Sequence, residues 1–116
     1  MPNKARYTAP SAIILGDPDI GEGTWIGYFT LLDSKGDKLT IGKDCSIASG
    51  VHIYTHSTHK AVTEKGPYLA APVTIGDRVA IGANAVIMYG CIIESGTVIP
   101  ALTLVKPYTR IGKNEF

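Results

Sequence analysis

The chain has 116 residues, of which 45% are hydrophobic, and 11 Lys and Arg stand against 10 Asp and Glu for a formal net charge of +1. This length fits one domain, the near-neutral charge argues against a nucleic-acid partner, and the apolar content argues against disorder. No apolar run reaches the roughly 18 residues of a membrane span, and residues 1–10 lack the apolar core of a secretory signal. We therefore expect a cytoplasmic protein without a membrane partner.

An aliphatic residue recurs at every sixth position from about residue 12 to residue 112. The period slips by half a repeat after Leu32 and is broken again between Ile53 and Ile75, whose separation is not a multiple of six. The slip predicts a short insertion near Ser34–Lys38, and the longer gap predicts a polar loop that projects from the body. We expect a single domain over residues 1–116, with repeats at about 12–53 and 73–112 and the projecting loop at about 54–72. The repeating aliphatics are Ile14, Ile20, Ile26, Leu32, Ile41, Ile47, Ile53, Ile75, Ile81, Ile87, Ile93, Ile99, Val105 and Ile111.

A period of six fits neither a helix nor an ordinary strand, but it suits a short strand followed by a tight corner. Three such hexapeptides close one triangular coil, whose aliphatics stack inside on those of the next coil. The stacks predicted for the C-terminal half are Ile75 with Ile93 and Ile111, Ile81 with Ile99, and Ile87 with Val105. The spacing also puts Gly42, Gly76, Gly82 and Gly112 at bends, where a side chain is costly.

Two cysteines, Cys45 and Cys91, stand far apart in the sequence without a CxxC pair. This spacing indicates neither a disulfide framework nor a zinc site. We expect both to be buried free thiols.

The segments IGEGTWIGYFTLLD, IGKDCSIASGVHIYTH and IGDRVAIGANAVIMYGCIIESGTVIPA resemble the hexapeptide-repeat acyltransferases with a left-handed parallel β-helix. The resemblance covers about residues 12–112. It implies an all-β fold, a left-handed parallel β-helix of about five triangular coils with one projecting loop. It also implies transfer of an acetyl group from acetyl-CoA to a hydroxyl or amino group of a sugar or nucleotide-linked sugar, without a metal, by a homotrimer with active sites between subunits.

Three histidines lie in one stretch, and such a transfer needs a base near neutral pH. His56 is the first candidate because the IYTH segment matches the pattern implied by the resemblance, at the mouth of the projecting loop. His59 is the second candidate, and His52 is expected to point outward. Asp33 precedes His56 by a little more than one coil, and either orients the imidazole or the acceptor or is a solvated corner residue.

Aromatic and small residues supply the candidates for substrate contact. Trp25 and Tyr28 are expected to face outward, where they wall an acceptor groove or pack against the loop or a neighbouring subunit. Asn84 either contacts the acceptor or occupies a left-handed corner, a conformation that asparagine tolerates. For the cofactor, the resemblance implies a groove along the later coils, with basic residues near the phosphates, formed by Gly82, Ala83, Ala101, Lys106 and Arg110.

Two further functions stay open from the sequence. A catalytically inactive β-helix that binds or scaffolds agrees with the C-terminal KPYTRIGKNEF, which departs from the segment that usually follows the repeats in the family. A β-helix carbonic anhydrase would need three histidines on facing coils of adjacent subunits, whereas His52, His56 and His59 lie close together in one short segment.

Overall fold

The computed structural model describes residues 3–113 as a stack of coils with three flat sides. Each side is a five-stranded parallel sheet. Side 1 contains β3 (Asp19–Ile20), β6 (Leu39–Ile41), β11 (Val73–Ile75), β14 (Ile92–Ile93) and β17 (Arg110–Ile111). Side 2 contains β1 (Tyr7–Thr8), β4 (Trp25–Ile26), β7 (Ser46–Ile47), β12 (Ala80–Ile81) and β15 (Val98–Ile99). Side 3 contains β2 (Ile13–Leu15), β5 (Leu31–Asp33), β8 (His52–Ile53), β13 (Val86–Ile87) and β16 (Leu104–Val105).

The chain passes from side 1 to side 2 to side 3 and then starts the next coil, which makes about five coils. The strand register brings the predicted aliphatics together: Ile75 lies beside Ile93, and Ile93 beside Ile111. Ile81 pairs with Ile99 and Ile87 with Val105 in the same way. The β-helix prediction is therefore confirmed, and the repeating aliphatics form its buried core.

One strand, β1, precedes the repeats and carries no aliphatic of the period. It joins side 2 by pairing Tyr7 with Trp25 and Thr8 with Ile26. Backbone N–H groups of Arg6 and Ala9 donate to carbonyl oxygens of the coil beside them, at 2.8 and 3.0 Å. This strand covers an edge of side 2 that would otherwise expose unpaired backbone groups.

The corners depend on two different devices. Residues with positive φ recur at the turns, among them Asn84 at 60° and Leu102 at 64°, so the left-handed conformation predicted for Asn84 is confirmed. Gly42, Gly76 and Gly82 instead follow strands directly and pack against the next coil. A Cβ at Gly42 would lie 2.6 Å from the Gly76 carbonyl, which explains why a side chain is costly there.

Both breaks in the period lie where side 3 leads back to side 1. The short insertion, residues 34–38, joins β5 to β6. The projecting loop contains β9 (His56–Ser57), α1 (His59–Glu64) and β10 (Leu69–Ala70), and β10 pairs antiparallel with β9. The sequence predicted the loop but not its helix. Among residues 3–113 no helix is long enough to cross a membrane, since α1 has only six residues.

Buried threonines line the inside of the coils at Thr24, Thr30 and Thr97 and at the loop base at Thr55. The Thr24 hydroxyl donates to the Gly42 carbonyl at 2.7 Å and accepts from the Cys45 N–H at 3.1 Å. The Thr30 hydroxyl, in contrast, finds no hydrogen-bond partner among residues 3–113. A buried hydroxyl without a partner destabilises the folded state because it gives up its bonds to water.

We expect Thr30→Val to raise the free energy of unfolding by about 1 kcal/mol, because valine keeps the shape and removes the unpaired hydroxyl. Thr24→Val is the matched control and should lower the free energy of unfolding, because the two hydrogen bonds of the Thr24 hydroxyl are lost. Urea unfolding at one fixed protein concentration measures both. A loss for Thr30→Val as large as that for Thr24→Val would show that the Thr30 hydroxyl is satisfied.

Candidate functional site

His56 and Asp33 meet at the base of the projecting loop. Asp33 ends β5 and His56 begins β9 one coil later, so the parallel stacking of side 3 brings them together. The His56 Nδ1 lies 3.1 Å from the Asp33 Oδ2. The Asp33 side chain is 4% exposed and that of His56 is 29% exposed. The interpretation of Asp33 as a solvated corner residue is therefore wrong. The His56 imidazole, in contrast, is partly exposed to solvent.

The contact between these two side chains is close without being an aligned hydrogen bond. Within residues 3–113, His56 Nδ1 has no partner that meets hydrogen-bond geometry, although the ion-pair distance to Asp33 is short. At 3.1 Å the carboxylate and the imidazole still interact electrostatically, without an aligned hydrogen bond. A carboxylate at this distance favours the tautomer with the proton on Nδ1 and leaves Nε2 as the basic atom.

Other residues restrict the imidazole from two further directions. Tyr68, on the return limb of the loop, stacks on His56 with ring centroids 5.5 Å apart and planes 20° apart. On another side the short insertion packs against it, since a Cβ at Gly36 would collide with the His56 Cβ. The Lys35 N–H donates to Asp33 Oδ1 at 2.9 Å, so Oδ2 is the oxygen left for His56.

The other two histidines have different partners. His52 Nδ1 shares a hydrogen bond of 3.0 Å with the Tyr54 hydroxyl on the outside of side 3. His59 Nδ1 lies 2.7 Å from the Ser57 hydroxyl, at the exposed start of α1. The described part of the chain contains no group of three or more His, Cys, Asp or Glu that could hold a metal ion.

The two cysteines offer no nucleophile. Cys45 and Cys91 are buried free thiols, as predicted. Burial raises the pKa of both thiols, against hydrogen bonds to the thiolate that lower it. Neither group is therefore activated as a thiolate at neutral pH.

The predicted residues fall on two corners that flank side 3. The 3–1 corner leads from side 3 to side 1 and holds Asp33, His56 and Lys106. The 2–3 corner leads from side 2 to side 3 and comprises residues 9–12, 27–30, 48–51, 82–85 and 100–103. Its coils are joined by backbone hydrogen bonds such as that from the Leu102 N–H to the Ala83 carbonyl, at 2.9 Å. The predicted residues on this corner are Tyr28, Gly82, Ala83, Asn84 and Ala101.

Two predicted residues lie on neither corner. Trp25 faces outward from side 2, where Tyr7 stacks on it with centroids 4.3 Å apart and the Arg6 guanidinium lies 6.0 Å from its ring. The ring thus packs against the N-terminal strand rather than the loop. Arg110 on side 1 donates from Nε to Glu94 Oε2 at 2.9 Å, so its charge is already paired.

Comparison with known proteins agrees with this architecture. Residues 72–107 match the bacterial transferase hexapeptide family (six repeats). A crystal structure of a hexapeptide-repeat-containing acetyltransferase from Vibrio cholerae superposes with a TM-score of 0.79 at 25% identity, covering 92% of this chain and 61% of that one. The chain therefore contains hexapeptide repeats, which form the coils of its β-helix.

Two further similarities concern ligands and activity. The Vibrio cholerae acetyltransferase in complex with acetyl-CoA matches this hexapeptide-repeat protein with a TM-score of 0.69 and 27% identity, over 97% of this chain and 64% of that one. Gamma carbonic anhydrase 1, mitochondrial, from Arabidopsis thaliana is 36% identical over 97 residues, 84% of this chain. The hexapeptide-repeat protein spans 33% of the length of that relative.

Sequence reasoning did not find Tyr68, Gly36 or Thr55 as neighbours of the candidate site. Tyr68 lies in the loop, where the period is interrupted and gives no register. For Gly36 and Thr55 the sequence gives one indication, because the slip in the period marks an insertion one coil before the IYTH segment. The slip predicts that residues are inserted beside this segment, but it does not predict which side chains come into contact.

Proposed function

We propose that this hexapeptide-repeat protein is a CoA-dependent acyltransferase that moves an acetyl group from acetyl-CoA to a hydroxyl or amino group of a sugar or nucleotide-linked sugar. The observation that carries the proposal is the half-open imidazole of His56 beside the buried carboxylate of Asp33, at the base of the projecting loop. In such a pair the imidazole can accept a proton from the acceptor, and the carboxylate stabilises the imidazolium that results.

In the proposed acetyl transfer, His56 acts as the general base and Asp33 orients its imidazole. His56 Nε2 removes the proton from the acceptor O–H or N–H as that atom attacks the thioester carbonyl carbon. The new C–O or C–N bond forms, the C–S bond breaks, and the imidazolium returns its proton to the departing sulfur. Asp33, facing Nδ1, fixes the orientation of the ring and offsets its transient positive charge.

The acyl donor is supported by the Vibrio cholerae acetyltransferase, which is similar in sequence and fold and binds acetyl-CoA. We assign the pantetheine arm to Gly82, Ala83 and Ala101 on the 2–3 corner, where Ala101 is exposed and Gly82 and Ala83 are half-buried. The exposed ammonium of Lys106 suits a flexible phosphate. Arg110 is the weaker phosphate candidate, because Glu94 already pairs with it.

We further propose a homotrimer, because the catalytic pair and the 2–3 corner lie on opposite edges of side 3. A cyclic arrangement brings the 3–1 corner of one copy against the 2–3 corner of the next. The outer face of side 3 supports such contact, since Leu31 and Val86 are half-buried and Ile13 and Leu104 are exposed. These four apolar residues lie in one row in strand register, with His52 between Leu31 and Val86. Rows of this kind mark association surfaces.

The test is binding of CoA followed by release of CoA from acetyl-CoA in the presence of a panel of sugars, amino sugars and nucleotide-linked sugars. A ligand at 100 times its dissociation constant stabilises the folded state by about 2.7 kcal/mol, so thermal unfolding should shift upward with CoA. No shift at millimolar CoA would contradict the proposal and favour the scaffold function.

Lys106→Ala should weaken CoA binding about threefold to tenfold, because one cation close to a phosphate contributes about 1 kcal/mol. Lys43→Ala is the matched control, since Lys43 is an exposed lysine on the corner between sides 1 and 2. Titration calorimetry at low salt measures both. If both variants weaken CoA binding equally, the phosphates of CoA do not bind near Lys106.

The carbonic anhydrase relative makes CO2 hydration the second candidate. The histidines of one chain do not form a ligand set, since His52 bonds to Tyr54, His56 faces Asp33 and His59 bonds to Ser57. Within residues 3–113, one chain alone therefore presents no set of zinc ligands. Stopped-flow CO2 hydration with added Zn²⁺ distinguishes the two candidates, and rapid hydration without CoA binding would replace our proposal.

A further inference from the structure

The short insertion at residues 34–38 is bonded at its ends to the coils beside it, through Ser34 to the Leu15 carbonyl and through the Lys38 carbonyl to the Val73 N–H. Its middle is anchored by a buried hydroxyl from the next coil. Thr55 is fully buried, and its hydroxyl donates to the Asp33 carbonyl at 2.9 Å. The same oxygen accepts from the Asp37 N–H at 3.2 Å. Thr55 therefore bonds to the backbone just before the insertion and again near its end.

The anchored insertion touches the catalytic pair at two points. Its Lys35 N–H holds Asp33 Oδ1, which turns Oδ2 toward His56. Its Gly36 backbone lies against the His56 Cβ and the Thr55 carbonyl oxygen, which would be 2.9 Å from a Cβ at Gly36. Because Thr55 immediately precedes His56, one residue fixes both the insertion and the start of the strand that carries the imidazole.

The length of the insertion agrees with this role. Leu32 and Ile41 stand one and a half repeats apart, where a regular corner would need only one. A regular corner connects β16 to β17 at residues 106–109 without any such insertion. The additional residues between β5 and β6 supply the Lys35 N–H, the Gly36 backbone and the Asp37 N–H.

We propose that Thr55 is a positioning residue that acts through Asp33: its hydroxyl fixes the insertion so that the Asp33 carboxylate faces His56 Nδ1. The proposal rests on the proposed function for its effect on rate, whereas its effect on the His56 ring can be measured without an acceptor. Thr55 is fully buried, so it touches neither substrate nor the reacting atoms.

The first experiment measures the His56 tautomer by long-range ¹H–¹⁵N NMR of the full chain labelled in histidine nitrogen. The wild type and Thr55→Ser, which keeps the hydroxyl, should hold the proton mainly on Nδ1. Thr55→Val, which keeps the shape but lacks the hydroxyl, should lose that preference. Gly36→Ala should also lose the preference for the Nδ1 proton, because its methyl group pushes the insertion away from His56. This variant replaces Thr55→Val in the experiment if Thr55→Val does not fold. An unchanged tautomer in Thr55→Val, or in Gly36→Ala if Thr55→Val does not fold, would overturn the proposal.

The second experiment uses rates with a working acceptor. Thr55→Val should lower kcat about tenfold to a hundredfold with KM unchanged, as small misplacements of catalytic groups do, and Thr55→Ser should restore it. In an Asp33→Asn background the same substitution should have little further effect, because the two act as one unit. If Thr55→Val lowers kcat in the Asp33→Asn background as much as in the wild type, Thr55 does not act through Asp33.

Thr24→Val is the matched control for lost stability. Thr24 is also fully buried and also donates to a carbonyl and accepts from an N–H, on the corner between sides 1 and 2. It should lower stability as Thr55→Val does and leave kcat and the tautomer unchanged. If His56→Ala leaves the rate intact, the proposed function fails, and the tautomer measurement still decides whether Thr55 positions the pair.

Discussion

Replacing His56 with alanine should lower kcat/KM for acetyl transfer by about 10²–10⁴-fold, the usual contribution of a general base. The imidazole is held by Asp33 at 3.1 Å and by Tyr68 at a ring distance of 5.5 Å, so alanine removes a base that the fold has already oriented. CoA binding should persist, because Gly82, Ala83 and Ala101 lie on the 2–3 corner, and Lys106, although on the same corner as His56, belongs to a later coil. Steady-state kinetics and titration calorimetry on the same preparation measure the two effects.

His59→Ala is the control within the same loop. His59 lies at the exposed start of α1 and bonds to Ser57 rather than to a carboxylate. We expect a loss below about threefold, within the range of substitutions that touch no reacting group. A loss below about tenfold for His56→Ala, or an equal loss for both variants, would contradict the assignment of His56 as the base.

The prediction of the fold from the sequence succeeded because every repeat carries the same information. Each aliphatic of the period marks an inward position, and inward positions must stack if the interior is to be filled. Ile87 and Val105, for example, are neighbours across side 3 because they stand three repeats apart, which is one full coil. Where the period fails, the prediction failed too: β1 lacks an aliphatic at the repeat position, and its backbone bonds to the next coil have no signature in the residues.

The corners show a second limit. Phe29, Leu102 and Tyr108 have positive φ values of 57°, 64° and 60°, a conformation that bulky residues rarely adopt. Stacking of one coil on the next imposes the same turn at each level, whatever residue occupies it. Residue propensity therefore indicated the left-handed corner at Asn84. It gives no indication that bulky residues such as Leu102 adopt the same conformation.

The candidate site was partly predictable for the same reason. One coil of three hexapeptides plus the half-repeat slip leads from Asp33 to Tyr54, and His56 follows two residues later, so the repeat placed Asp33 and His56 on neighbouring coils. The approach of Tyr68 depends on the antiparallel pairing of β9 with β10, which no repeat governs. The role of Thr55 depends on hydrogen bonds to backbone atoms of the insertion, and backbone atoms are the same in every sequence.

Replacing Ile93 with alanine should lower the free energy of unfolding by about 2–5 kcal/mol, the usual cost of removing a large aliphatic from a packed core. Ile93 is 1% exposed and lies between Ile75 and Ile111 in the stack behind side 1. The stacked strands prevent the neighbouring coils from closing over the missing atoms, so a cavity should remain. Urea unfolding at fixed protein concentration measures the change.

Ile92→Ala is the matched control, because Ile92 is the adjacent residue in β14, has the same side chain and is 42% exposed on the outer face. Its loss should stay below about 1 kcal/mol, as for other exposed substitutions. The pair tests the inward assignment of the whole period, since a shift by one residue would exchange the two faces of every strand. Equal losses, or a larger loss at Ile92, would mean that the aliphatic repeat does not line the interior of this chain.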